Sequence, residues 1–219
     1  MPISHKIAQL LGILTLIVTL CGCQKAYFGA LEKVGIHKRD VLVSRVEKAN
    51  ETQQEAKQQF KSALEKFQSV VSVEPNDIDE IYQELNDEYE QSQALADDIA
   101  ERIADIESVS TALFSEWEDE LSQYTSPQLR QQSAAQLTRT KQQYRRLITA
   151  MKRAENSMTP VLNVFKDQVL FLKHNLNAKA INSLRRELVL IQANVAKLTE
   201  QMNQSIAQAE RFIASMNES

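Results

Sequence analysis

Residues 46–70 read VEKANETQQEAKQQFKSALEKFQSV. Ala49, Ala56, Ala63 and Val70 recur every seven residues, and Val46, Phe60 and Phe67 fill a second position of the same period. Two apolar positions per seven residues form one seam on an α-helix, because the pattern returns to nearly the same face after two turns. Only Gln53 interrupts the seam. The stretch predicts a helix over about 40–72 whose apolar stripe has to be covered by other helices.

Going toward the C-terminus, a helix over 77–124 is expected after Pro75, with Asn76 or Asp77 as its cap. Tyr82, Leu85, Tyr89, Leu95, Ile99, Ile103, Ile106, Leu113 and Trp117 repeat there at spacings dominated by threes and fours. At 1.5 Å per residue that helix is roughly 72 Å long. Ser126-Pro127 then places a capping serine before a proline at the first helical position. Leu137, Tyr144, Met151 and Met158 carry the pattern forward every seven residues, so the third helix is expected over 127–158. Thr159-Pro160 reads as a restart. The fourth helix is expected over 160–217, with a break or kink near Asn177.

All four glycines lie within the first 35 residues, and the prolines after Pro2 are Pro75, Pro127 and Pro160. Glycine and proline are the strongest helix punctuators, so their scarcity leaves long uninterrupted stretches. No alternating β-branched run bounded by turn residues occurs, and no sheet is expected. The fold class is therefore all-α: a long-helix antiparallel bundle or coiled coil, forming one elongated domain over 40–219. Periodicity alone leaves open whether the seams close within one chain or between copies, so a homo-oligomer stays among the expected partners.

Charge divides sharply along the chain. Residues 74–120 hold 17 Asp or Glu and a single base, Arg102, whereas residues 121–219 hold 14 Lys or Arg and 6 acids. Opposite signs joined by a short turn favour an antiparallel hairpin with matched charges. A competing reading takes Arg139, Lys141, Arg145, Arg146, Lys152 and Arg153 as a basic face for anionic lipid or cell-wall polymer. That reading requires the acidic helix not to neutralise the face.

The N-terminus carries Lys6, a charge-free and largely apolar run from Ile7 to Leu20, and then Cys21-Gly22-Cys23. Fourteen residues of helix span roughly 21 Å, short of a hydrocarbon core of about 30 Å. The order of charge, apolar run and small residues is that of a secretory signal over 1–22. Leu20-Cys21-Gly22-Cys23 looks like a lipobox, with Cys23 as the lipidated residue and 23–39 as the lipidated N-terminus and linker. More than one acyl chain gives stable membrane anchoring. By resemblance to lipoproteins with Gln24 after the cysteine, the expected address is the outer membrane, facing the periplasm. No cysteine follows Cys23, which removes disulfides, thiolate metal sites and a cysteine nucleophile together.

Chemistry is sparse beyond the anchor. A phosphate-cradling loop needs glycine, and none follows Gly35. His174 has no carboxylate three or four places away and His37 has only Asp40, and the paired Glu-x-x-His elements of a di-iron bundle are missing. Asp77, Asp79 and Glu80 read as first-turn acids that complement the helix dipole, in preference to a calcium site. No cofactor, metal or catalytic residue is expected, and an exported chain does not meet nucleic acid routinely.

The stretch from Tyr27 to Phe60, LNDEYE at 85–90, LFSEWEDELSQY at 113–124 and FKDQVLFLKHNLNAKAINSL at 165–184 together resemble a family of proteobacterial lipoproteins known as domain of unknown function 2959. The resemblance covers essentially the whole mature chain. It implies a helical, coiled-coil periplasmic lipoprotein and offers no activity, cofactor or catalytic residue to carry over. It also singles out the segments around His37 and His174, for which two readings stand: a packed joint with capping asparagines where they meet at one end of the bundle, or a partner-docking end there. The leading functional expectation is a structural or protein-interaction module of the cell envelope, with an unknown envelope protein or cell-wall component as partner. The alternative is an accessory binder of anionic lipid or cell-wall polymer.

Overall fold

The computed structural model describes Gly35 and residues 37–72, 78–175 and 178–218. Expectations for the signal, Cys23 and most of the linker lie outside these residues, as do those for Asn76, Asp77 and Asn177. Four helices account for nearly all of the described chain: α1 Lys38–Ser72, α2 Ile78–Leu121, α3 Pro127–His174 and α4 Ala178–Asn217. Among the described residues there is no strand.

Each helix packs against its neighbours in sequence, and α4 returns to pack against α1, closing a four-membered ring. Side-chain pairs show the antiparallel course. Lys38 meets Glu116 while Lys66 meets Glu84, so α1 climbs as α2 descends. Lys141 meets Glu118 while Lys152 meets Glu107, so α3 climbs again beside α2. Arg185 donates to the Val71 carbonyl at 2.8 Å and Lys57 to Asn203 Oδ1 at 3.1 Å, which sets α4 descending beside α1. The apolar seams thus close within one chain.

The seam read from residues 46–70 is the α1 contribution to the core. Val46, Ala56 and Phe60 are each 0% exposed, and Phe67 stacks on Phe165 of α3 with ring centroids 6.2 Å apart. Ile99, Ile103 and Ile106 come from α2, Met151 and Met158 from α3, and Ile191, Leu198 and Met202 from α4. Phe114 and Tyr144 add an edge-to-face pair between α2 and α3 at 5.3 Å. The aromatic seam residues therefore pack as core. Gln53, the interruption in the seam, is also fully buried, and both of its amide atoms lack a hydrogen-bond partner.

Helix ends follow their local chemistry. Ser126 Oγ accepts from the Leu129 N–H at 3.4 Å, and Pro127 takes the first position, where a missing N–H costs nothing. Asn175 closes α3 by donating its backbone N–H to the Leu172 carbonyl and its side-chain amide to that of Phe171. Before α1, Gly35 adopts φ +81°, which L side chains rarely take.

One boundary is corrected. Pro160 does not start a helix, because α3 runs unbroken from Pro127 to His174 with Pro160 inside it. Ala154, Met158, Val161, Leu162 and Phe165 are all buried on both sides of the proline, so packing carries the helix through. Thr159, Pro160 and Asn156 are exposed, which places the lost backbone hydrogen bond on the solvent side, where a bend is tolerated. The helix expected over 160–217 is in fact divided, since α3 ends at His174 and α4 begins at Ala178 and runs the opposite way.

Candidate functional site

The six basic residues singled out on α3 do not form one face. Lys141 and Lys152 reach the acidic α2, at 2.5 Å from Glu118 and 2.6 Å from Glu107. The hydrogen bond to Glu107 also raises the Lys152 pKa above its ordinary value. Arg139 donates along its own helix to Gln136 Oε1 at 2.6 Å. Charge matching in the α2–α3 hairpin thus accounts for the two lysines.

Arg146 and Arg153 turn the other way, toward α4, and Arg145 joins them from the edge of the lysine face. There they line an open groove of about 830 Å³ together with Gln142, Thr149, Ala150, Glu200, Asn203, Gln204, Ala207, Gln208 and Arg211. The floor is shallow at Ala150 and Ala207, where small side chains let the two helices expose the space between them. None of the four arginines makes a hydrogen bond or ion pair with a described residue. The one acid in the lining, Glu200, accepts from Gln204 Nε2 at 3.2 Å. Four guanidinium groups against one carboxylate leave a net positive groove, and none of that charge is used by the bundle itself.

Helix phase explains the split. At about 100° per residue, Lys141 and Lys152 point within roughly 20° of each other and Arg146 and Arg153 about 100–140° further round, while Arg145, within about 40° of both lysines, stands at the edge between the two faces. The same signal is present in the sequence but needs the neighbour on each side to be known. Arg211 was not foreseen; Asn203, Ala207 and Arg211 at four-residue spacing, opposite the small Ala150, were its trace.

The histidines do not come together. His37 precedes α1 and His174 ends α3, and these helices run parallel on opposite corners of the ring. Measured from the Phe67–Phe165 stack, His37 lies about 45 Å toward one end and His174 about 14 Å toward the other. A docking end built from both is therefore ruled out, because two parallel helices place a start and a finish at opposite ends. Among the described residues, no three or more His, Cys, Asp or Glu are grouped to hold a metal ion, and no helix is long and apolar enough to cross a membrane.

A family model described as protein of unknown function (DUF2959) matches residues 27–216. No curated protein and no solved structure matches the chain.

Proposed function

This chain belongs to the DUF2959 family of proteins of unknown function, and from that premise we propose that it is a lipid-anchored envelope protein whose working surface is the arginine groove between α3 and α4. The task so assigned is the accessory binding of an anionic lipid or cell-wall component at the periplasmic side of the outer membrane. The observation that carries this reading is the division of labour on α3: the lysines are neutralised by α2, while Arg145, Arg146 and Arg153, joined by Arg211, stay unpaired around one groove. Free guanidinium groups are donors in a planar fork that suits phosphate and carboxylate.

Position supports it as well. Arg211 stands five residues before Met216, and Met216 packs beside Arg39 at the start of α1. The Arg211 end of the groove therefore lies near the level at which α1 begins. Fifteen residue steps from Cys23 to Lys38 reach at most about 50 Å, which keeps the groove within range of the membrane surface.

The test is binding of the full chain to vesicles containing phosphatidylglycerol. The reading expects binding that falls steeply with salt and is lost in Arg145→Glu with Arg146→Glu. Binding that is indifferent to salt, or unchanged in the variant, overturns it. For the anchor, Cys23→Ala is expected to move the protein out of the membrane fraction.

A second reading, a module that holds a protein partner, draws on the far end of the bundle. Leu170 and Phe171 on α3 and Val189 and Leu190 on α4 are exposed there, Val189 to 73%. Crosslinking in cells from probes at Leu170 and Val189 tests it, and no captured protein at either would sink it.

A further inference from the structure

The lining of the groove is not uniform along its length. Because α3 and α4 run antiparallel, Arg211 lies at the end that holds Arg145 and Arg146, and Glu200 lies at the end that holds Arg153. Three guanidinium groups thus gather at one end and a single one stands at the other. Arg146 and Arg153 are one heptad apart, about 10 Å along the axis. Between the two ends the groove offers a hydroxyl and amides, Thr149, Asn203 and Gln204.

We infer that the groove takes a saccharide bearing two anionic groups about 10 Å apart, with a phosphate at the Arg145, Arg146 and Arg211 end. The inference rests on the reading of the groove as the binding surface and adds the ligand class. Three guanidinium groups offer more donors than one carboxylate can accept, whereas a phosphate has three terminal oxygens and close to two charges. The neutral middle suits hydroxyls, which both donate and accept, as the amides and Thr149 do. A phosphatidylglycerol headgroup has one phosphate and no second anionic group to engage Arg153 at the same time. A polymer charged at every repeat would bring an anion against Glu200, so the lone carboxylate disfavours continuous polyanions such as nucleic acid. Glu200 instead accepts from a sugar hydroxyl or an amino-sugar ammonium next to the group held by Arg153.

The experiment titrates the full chain, in uncharged detergent, with a bisphosphorylated glucosamine disaccharide stripped of acyl chains. The same disaccharide with one phosphate, and with none, serves for comparison, and heat is read by isothermal calorimetry. Wild type is expected to bind the two-phosphate form about ten-fold or more tighter than the one-phosphate form, and the neutral form not measurably. Arg153→Gln is expected to bring the two phosphorylated forms to near-equal affinity, and Arg211→Gln to weaken both. All of these side chains are exposed, and circular dichroism checks that the helices are kept. Equal affinity of the two phosphorylated forms in wild type, or an unchanged ratio in Arg153→Gln, overturns the inference. If phosphatidylglycerol vesicles bind through Arg145 and Arg146 while the disaccharide does not, the groove remains the binding surface and the saccharide assignment alone falls. If neither binds, both fall.

Discussion

Replacing Pro160 with alanine tests the architecture at the point where sequence and structure part. In the interior of α3 the proline removes the N–H that would reach the Asn156 carbonyl, and its ring crowds that carbonyl; together these cost about 3 kcal/mol. Proline also restricts the unfolded chain, which returns about 0.4–1 kcal/mol to the wild type. Pro160 is exposed, so no core packing is lost with the ring. The difference predicts that Pro160→Ala stabilises the protein by about 2 kcal/mol. For a chain of this size that raises Tm by roughly 4–8 °C. Urea unfolding followed by helical circular dichroism measures it, with an unchanged slope expected because the surface exposed on unfolding is the same. Were Pro160 the first residue of a separate helix, alanine there would be neutral or harmful. A stability unchanged or lowered in Pro160→Ala would refute the continuous α3.

Four further outcomes are expected. Gln53→Leu should stabilise by about 1–3 kcal/mol in urea unfolding, because a fully buried amide with no partner is replaced by an apolar group of similar volume; a loss of stability would mean that the amide is hydrogen-bonded after all. Phe60→Ala should cost about 3–5 kcal/mol, since the ring is 0% exposed at the centre of the α1 seam. Ser126→Ala should cost about 1 kcal/mol by leaving the Leu129 N–H without its cap, and the same unfolding assay reads it. Alkaline pH should destabilise the bundle. Burial, opposed by a hydrogen bond with Ser110, raises the Tyr144 pKa above 10.0, and the hydrogen bond to Glu107 raises that of Lys152 above 10.5. Both groups hold their protons more tightly when folded, so their contribution is complete below about pH 10 and is lost as pH climbs through the raised values. Thermal melts between pH 7 and 9 should show no fall from this source, and melts above pH 10 should.

Much of the fold is legible in the sequence because heptad spacing encodes a face directly. Ala49, Ala56, Phe60, Ala63 and Phe67 are core for the reason their period implies. Pro160 misleads because local chemistry marks it as a helix start, and only the burial of Met158 and Val161 on either side shows that tertiary packing prevails. Asn175 is the converse case: it lies inside the helix expected over 160–217, two residues before the expected kink, and it ends α3 instead. At the groove, the basic residues of α3 are visible in the sequence but their division is not. Lys141 and Lys152 differ from Arg146 and Arg153 in which neighbour they face, and neighbours are a property of the ring. Arg211 lies nearly 60 residues beyond Arg153 and comes beside Arg145 only because the chain reverses after His174.

The central claim is that unpaired arginines in the α3–α4 groove, and not the net charge of α3, form the binding surface. Two variants that each remove two positive charges from α3 separate these ideas: Arg145→Gln with Arg153→Gln, and Lys141→Gln with Lys152→Gln. Their binding to phosphatidylglycerol vesicles at low salt is the measurement. The account predicts that the arginine pair abolishes most of the binding while the lysine pair leaves it near wild type, because those lysines are already engaged by Glu118 and Glu107. Equal loss in both variants would contradict it and reduce the groove to one part of a diffuse positive surface.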